Sequence, residues 1–457
     1  MKTFQDFEAA RAKGDLPAFI MAAINAYTVT NDCQNALLGR DYMQQRNRTA
    51  TQLERVIRDG AGIPYKDTAS PKYRCASAFY KSNIIQITQH LLANGITFEK
   101  DDTKAALGGD VLDNKVVRTF RAAAAEGRAY GYFKGKGKGF AIFYADELVP
   151  LYDEETGAIR AAIRHWQFAE DKPLRVTLYE VGGYTEMRRE KEKDLVCLEG
   201  FSFAEPRPYK EITATYENGE TVIVGYENYP GLPIVPAYAN YDRQAEIVGK
   251  REHIDAYDLI ESGFANNVEE ASFIYWKLTN ASGMDDVDIA EFRRRIREQH
   301  VAKTDNVTDV QAETLNVPVE ARETLLTRLE NDIYADAMTV NLDRIAGGDV
   351  RATAIEAAYK RLNDRVDELE YCVIEFIQGL LALAGIEDMP TFKRSQLTND
   401  AEITDMVLSA AEYLDEETIL SKLPFLSADE VETVMERRAA ESVSRFTTVE
   451  PEEEVTE

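Results

Sequence analysis

Two long apolar stripes dominate the pattern of this chain. Across 318–342, Leu325, Leu329, Ile333, Ala337 and Val340 recur at four- and three-residue steps, the mark of a helix with one buried face. Across 353–384, Ile355, Leu362, Val366, Leu369, Val373, Phe376 and Leu380 keep a near-heptad step from end to end. At ~1.5 Å per residue the second helix would reach roughly 50 Å. Gly347 and Gly348 mark a break between them that neither helix spans cheaply. A helix that long needs neighbours along its whole length, so the plain reading is a helical hairpin within a large helix-rich domain.

Elsewhere the chain alternates between helical and strand periods. Residues 1 to about 105 read as helical, with a stripe of Ile84, Ile87, Leu91 and Leu92 that stops at Asn94-Gly95. A second helical piece covers 116–126. The period then shortens: 128–133 and 139–144 are strand-like and rich in aromatics, and strand patterns continue at 161–166, 174–179 and 221–224. Turn pairs fall at Gly182-Gly183 and Asn218-Gly219. A proline-rich stretch, 230–236, closes this β-rich section. The helical period returns over 245–278, with Ile254, Tyr257, Ile260, Phe264, Val268 and Trp276 near one face. An insert over 279–317 carries a short charged helix at 289–299 and strand candidates around His300-Val301-Ala302 and 310–314. Thr391-Phe392-Lys393 is a further strand candidate, two or three helices follow, and 450–457 is an acidic tail expected to be disordered. The fold class is therefore α+β, mainly α.

Composition changes this picture in one respect. A length of 457 residues, 44% hydrophobic and 29% charged, is that of an ordinary soluble protein with two or more structural units. The net charge of −27 is unusual. It argues against DNA binding by phosphate neutralisation, whose footprint is a basic stripe. It is compatible with a protein that surrounds DNA without holding it, and equally with an acid excess that keeps an oligomer soluble. Cys33, Cys75, Cys197 and Cys372 lack C-x-x-C spacing, as expected of reduced thiols inside a cell. Acids at Asp6 and Glu8 occupy the place of a signal peptide's apolar core, and the most apolar window, 373–384, is too short to cross a bilayer.

Candidate chemistry is sparse. The run Lys134-Gly135-Lys136-Gly137-Lys138-Gly139 has the composition of a phosphate loop, but such a loop opens a helix and here a strand follows. It reads as a hairpin turn. Asp285, Asp286, Asp288 and Glu291 lack the glycine and spacing of a calcium loop and read as acids at a helix N-terminus. His90, His165, His253 and His300 lie in separate segments with no nucleophile motif nearby, and Walker, zinc and G-x-S-x-G patterns are absent. No cofactor or metal is implied. An enzyme class stays open only as a metal-dependent hydrolase with an unmarked acidic site among the 80 carboxylates.

The order of segments is more informative than any one of them. Lys81-Ser82-Asn83-Ile84-Ile85 leads to Asn94-Gly95-Ile96-Thr97-Phe98, and Glu126-Gly127-Arg128-Ala129-Tyr130-Gly131-Tyr132 follows. Tyr229-Pro230-Gly231-Leu232-Pro233-Ile234-Val235-Pro236 then leads through Asn240 to Ile254-Asp255-Ala256-Tyr257 and Asn266-Asn267. Arg328-Leu329-Glu330-Asn331-Asp332-Ile333-Tyr334 precedes Gly347-Gly348 and Thr353-Ala354-Ile355, and Leu414 to Leu420 precedes Leu423-Pro424-Phe425. Over about 41–444 this order resembles the portal (head–tail connector) proteins of tailed double-stranded DNA phages, in the branch typical of siphophages of Gram-positive hosts. Two departures stand out. Gly347-Gly348-Asp349-Val350-Arg351-Ala352 replaces the Ser-Gly step of many relatives, and the segment after Glu441 is short and acidic, which argues against a large crown domain.

The resemblance implies a portal-type fold: an α/β wing over 1–244, a stem of helices at 245–278 and 318–342, a small α/β clip at 279–317, a tunnel loop at 343–352, a long helix over 353–389 returning to the wing, and a helical region over 390–444. It implies a ring, usually of twelve subunits, at one capsid vertex, through which double-stranded DNA is packaged and later ejected without enzymatic activity of the ring itself. Implied partners are other copies of the chain, the terminase large subunit, the head–tail adaptor, and the major capsid and scaffolding proteins, with no membrane. Assembly would take place in the host cytoplasm. Asp343, Arg344, Ile345, Gly347, Gly348, Asp349, Val350 and Arg351 would line the channel, while Asp285, Asp286, Arg294, Arg295, Asp305 and Gln311 would face clip partners. Twelve copies at −27 would carry about −320 formal charge. Arg344 and Arg351 either touch phosphates transiently or pair locally with Asp343 and Asp349. Ile333 and Leu362 are expected in seams between subunits.

Overall fold

The computed structural model describes residues 2–52, 56–58, 61–66, 72–215, 221–271, 275–279, 285–299, 309–313, 318–342 and 352–395, with isolated residues from 404 to 437. The chain opens with α1 (Phe4–Lys13), α2 (Leu16–Thr28), α3 (Asn31–Met43) and α4 (Arg48–Gln52). A short ribbon, β1 (Val56–Arg58) and β2 (Pro64–Lys66), precedes α5 (Phe79–Leu92), β3 (Ile96–Phe98), α6 (Asp101–Ala106) and α7 (Val111–Glu126). The first hundred residues are thus helical, as their periodicity suggests, but broken by three short strands and an extended stretch, 72–78, that carries no apolar period of its own.

Next come β4 (Ala129–Phe133) and β5 (Phe140–Tyr144), then β6 (Leu148–Tyr152), β7 (Ile159–Trp166), β8 (Leu174–Glu180), β9 (Gly183–Arg189) and β10 (Val196–Cys197). The last five form one antiparallel meander, β10-β9-β8-β7-β6. Its period-2 pattern sends Val149, Leu151, Ala161, Ile163, Val176, Leu178 and Met187 to one face, where α1 and α2 cover them with Phe7, Phe19, Ile20, Ala23, Ile24 and Tyr27. Leu148, Ala162 and Tyr179 point the other way and meet Tyr130, Phe143 and Ile234. Pro150 is tolerated because β6 is the edge strand.

A ribbon of β11 (Lys210–Thr215) and β12 (Thr221–Glu227) follows, and β13 (Ile234–Ala237) then joins β4 and β5 in a second sheet, β13-β4-β5. The chain continues through α8 (Arg251–Ala271), β14 (Tyr275–Thr279), α9 (Asp286–Gln299), β15 (Asp309–Glu313), α10 (Val319–Asp336), α11 (Ala352–Ala384) and β16 (Pro390–Phe392), which pairs with β3. The helix expected over 245–278 is shorter. It stops at Ala271, and Tyr275 and Trp276, aromatics suited to a pleated surface, sit in a strand instead.

The long stripe of α11 is the spine of the largest core. Leu362, Val366, Leu369, Val373, Phe376 and Leu380 are all buried against α5, α7 and the second sheet. The approach is close: a Cβ at Gly131 on β4 would stand 2.7 Å from Phe376 Cζ, so only glycine fits there. Ile333 and Leu362 are 2% and 0% exposed within one subunit. They belong to the chain's own core and not to seams between subunits. Of the histidines, His90 bonds Asn363 Oδ1 at 2.8 Å and stacks on Tyr359, and burial pushes the His165 pKa down. Among the described residues no helix is long and apolar enough to cross a membrane.

Candidate functional site

Helices α8 and α10 form an antiparallel hairpin whose base is set in the core. His253 Nδ1 lies 2.7 Å from Asp336 Oδ2, and Phe79 at the start of α5 meets Tyr257 and Tyr334 edge-on, at 4.9 and 5.8 Å between centroids. Further out, the Arg322 guanidinium lies 5.7 Å over the Phe264 ring. Near the base Ile254, Ile333 and Ala337 are buried. Along the hairpin, Leu259, Val268, Val319 and Leu325 are 48%, 50%, 43% and 44% exposed, although Val268 and Leu325 belong to the same apolar stripes. One copy of the chain leaves these side chains uncovered.

An extended strap, 72–78, runs antiparallel along α8. The N–H of Tyr73 donates to Asn266 Oδ1 at 2.7 Å, that of Cys75 to Ser262 Oγ at 3.0 Å, and that of Ser77 to Asp258 Oδ1 at 2.9 Å. Asp258 is fully buried, and its other oxygen accepts from Asn47 Nδ2 at 2.5 Å. Burial pushes its carboxyl pKa up, against the hydrogen bonds that it accepts. Every second strap residue therefore meets a polar side chain four residues further along the helix. The sequence gives little hint of this, because backbone groups carry the strap's half of it.

At the free end of the hairpin, β14 and β15 pair antiparallel from Tyr275↔Glu313 to Thr279↔Asp309, with α9 between them in sequence. Of the expected clip residues, Asp285 caps α9: its Oδ1 accepts from the N–H groups of Val287 and Asp288, both at 2.9 Å, while its own N–H donates to Asp288 Oδ2 at 3.3 Å. That is the N-terminal helix role read from the sequence. Asp286 opens the helix and Gln311 lies exposed on β15 opposite Lys277. Arg294 and Arg295 are already engaged with Glu291, at 2.8 and 3.0 Å, and Arg294 also with Glu298 at 2.8 Å. Their hydrogen bonds hold the Glu291 carboxyl down to about 2. Asp305 and the strand candidate at 300–302 lie outside the described residues.

The expected channel residues, Asp343, Arg344, Ile345, Gly347, Gly348, Asp349, Val350 and Arg351, also lie outside the described residues, but the elements that flank them do not. Helix α10 stops before the stripe does. Met338 takes a left-handed φ of 55°, and the chain turns to run past α5. There the Gln86 side-chain amide donates to the Val340 carbonyl at 2.9 Å and accepts the Val340 N–H at 2.8 Å, as a neighbouring strand would. Thr339 Oγ1 donates to Asn83 Oδ1 at 2.9 Å. Val340's N–H is thereby taken by a side chain and not by a helical carbonyl, which is why the helix read over 318–342 ends at Asp336. Neither Gln86 nor Asn83 stands out in the sequence as more than a polar position on α5.

A buried ion cluster ties α11 to the approach of α8. Arg365 donates to Glu246 Oε1 at 2.5 Å, to Glu368 Oε2 at 2.9 Å and to the Ala239 carbonyl at 3.1 Å. Glu246 also accepts from Lys250 and, at 3.0 Å, from Asn240 Nδ2. Burial alone would raise the Glu246 pKa, but Arg365 and Lys250 outweigh it and hold the carboxyl down to about 2.

These features sit in a chain whose residues 29–444 match the family model described as "Phage portal protein, SPP1 Gp6-like". The chain belongs to the phage portal protein family. It is 23% identical over 404 residues to the portal protein of Bacillus phage SPP1, covering 83% of this chain and 78% of that one. It is also 23% identical over 309 residues to the portal protein of Clostridium phage phiCD119, covering 64% of each. Among solved structures, this portal chain is similar to one titled "Neck of native GTA particle computed with C12 symmetry", at 9% identity with a TM-score of 0.45, covering 79% of this chain and 89% of that one. A second, "Neck of empty GTA particle computed with C6 symmetry", matches at 12% identity with a TM-score of 0.48, covering 85% and 94%. Of the two function classes left open by the sequence, a portal and an acidic-site hydrolase, family membership decides for the portal.

Proposed function

We propose that this portal protein assembles into a closed ring at one capsid vertex, through which the terminase packages double-stranded DNA and from which DNA is later ejected. In this reading α8 and α10 form the stem, β14, α9 and β15 form the clip that meets first the terminase and then the head–tail adaptor, and 343–351 lies at the narrowest level of the channel. The ring carries out no enzymatic step itself, and its place is the virion, after assembly with capsid and scaffolding proteins in the host cytoplasm.

The observation that supports it most is the projecting hairpin. It is anchored at its base in the subunit core and bears exposed apolar side chains along its length. Leu259 and Val268 lie nine residues apart, on opposite sides of α8. Two different uncovered sides are what a head-to-tail contact needs, since each copy presents one patch to one neighbour and the other patch to the next. Light scattering and electron microscopy of the purified protein test this. The expected result is a large species with a central hole; a monomer of 51.5 kDa at micromolar concentration, unchanged by added salt, would refute it.

A further inference from the structure

The hairpin turn between β4 and β5 concentrates lysine in a chain that has 80 acidic against 53 basic residues. Lys134, Lys136 and Lys138 are all exposed, and Lys115 on α7 approaches them from the side. The place a Cβ would take on Gly139 is 3.5 Å from Lys115 Nζ, which also lies 5.7 Å from the Phe140 ring centroid. None of these four lysines has a carboxylate within ion-pair distance among the described residues, whereas Arg11, Arg40, Arg128, Arg164, Arg207 and Lys210 are each paired with one. Burial, and next the charge of Lys134, push the Lys115 pKa down, as expected where cations crowd together.

The turn is also held rigidly. Gly135, Gly137 and Gly139 take φ values of 115°, 73° and 64°, which lets three lysines alternate around a bend that other residues would strain. The Lys134 N–H donates to the Gly139 carbonyl at 2.9 Å, the Lys138 N–H to the Gly135 carbonyl at 3.1 Å, and the Gly137 N–H to the Ala106 carbonyl at 2.7 Å. That last bond clamps the tip to the end of α6. Behind it, a Cβ on Gly139 would collide with the Leu107 carbonyl at 2.8 Å, so the turn cannot move away from the α6–α7 junction without loss of packing. Little backbone order remains to be imposed when a ligand arrives.

The exposed residues of the turn are lysine and glycine alone. A protein partner would be expected to find an apolar centre, and lysine is depleted at such centres. Point charges on a rigid bend, with no apolar centre, suit a polyanion of regular charge read without sequence preference. We infer that the β4–β5 turn, with Lys115, is a contact site for the phosphate backbone of double-stranded DNA. Its identity as DNA rests on the proposed role in genome handling, whereas the charge geometry does not. It is separate in sequence from the proposed channel loop, and it places local basic contacts on a subunit whose overall charge repels nucleic acid.

The test is titration of the full-length protein with a fluorescent DNA duplex across a range of salt concentrations, against the exposed triple variant Lys134→Gln/Lys136→Gln/Lys138→Gln. Each phosphate contact contributes about 0.9 to the slope of log affinity against log salt, so the triple variant should lower that slope by about 2.7. The corresponding triple Lys→Arg variant should keep the wild-type slope, which separates charge from folding effects. Identical slopes for the wild type and the Gln variant would overturn the site, as would absence of duplex binding at low salt, or preferential binding of poly-glutamate over the duplex. Because the readout is binding of free duplex, loss of packaging through the channel loop would leave it unchanged, and the two readings fail separately.

Discussion

Replacing Arg365 by methionine would remove the charge that compensates Glu246 while keeping an apolar stem of similar length. Arg365 and Glu246 are 7% and 8% exposed, so solvent cannot take over the role of the guanidinium. Breaking a buried pair by removal of one partner costs about 3–5 kcal/mol, because the remaining charge stays desolvated. Glu246 keeps Lys250 and Asn240, which places the expected loss near the lower end, about 3 kcal/mol. The pH dependence gives a second, independent reading. In the wild type the Glu246 pKa is lowered from 4.5 to about 2, so its contribution to stability is complete above 4.5 and is lost as pH falls from there toward 2. In the variant burial dominates and raises the pKa, so protonation at mildly acidic pH relieves the penalty. The gap in stability between the two proteins should therefore narrow on going from pH 7 to pH 4. Urea midpoints at one fixed protein concentration measure it, since subunit association makes stability depend on concentration. The double variant with Glu246→Gln should recover most of the loss. A gap below about 1 kcal/mol at pH 7, or one of constant size between pH 7 and pH 4, would refute the assignment of this cluster as the tie between α11 and the approach of α8.

Further outcomes are expected. Leu325→Asp or Val268→Asp, at side chains exposed in one subunit, should leave helical content by circular dichroism intact and reduce the ring species in light scattering; full-size rings in both would exclude these faces from the interface. Ile333→Asp should instead place an unpaired charge in the subunit core and cost several kcal/mol, seen as a lowered urea midpoint before any change in assembly. Gly347→Pro, or a bulky β-branched residue at Gly348, should reduce packaged DNA per particle while rings still form, and normal filling would remove the loop from the mechanism. Deletion of 285–310 should give a soluble protein that no longer captures the terminase or the adaptor in a pull-down, and normal capture would locate docking elsewhere.

The sequence exposes features carried by side-chain period and conceals those carried by backbone groups. The stripe of α11 is legible from Leu362 to Leu380 because every member faces one core, and the lysine turn is legible because two aromatic-rich strands flank it. The end of α8 is not. The helical steps of Ile254, Tyr257, Ile260, Phe264 and Val268 are in phase with Trp276 eight residues on, and the aromatic pair Tyr275-Trp276 marks the change to a strand. The early end of α10 has a similar cause: Val340 keeps the helical step, but Gln86, more than two hundred residues earlier, captures its backbone. Burial of Ile333 within the subunit and exposure of Leu325 on the same stripe likewise follow from where the hairpin leaves the core, a tertiary fact that periodicity does not encode.

The strap along α8 behaves like a vernier, two scales of slightly different pitch laid side by side. Alternate residues of an extended chain advance about 6.6 Å, while four residues of a helix advance about 6.0 Å. Each successive rung from Ser77–Asp258 through Cys75–Ser262 to Tyr73–Asn266 therefore slips by about 0.6 Å, a mismatch that side-chain rotation absorbs over two intervals. A fourth rung would fall nearly 2 Å out of step, beyond what one hydrogen bond tolerates. Two residues before Tyr73 in the sequence stands Pro71, which has no N–H to offer. The fastening thus limits its own length, and a residue inserted into or deleted from 73–77 would misalign the rungs beyond it and loosen α8 from its strap.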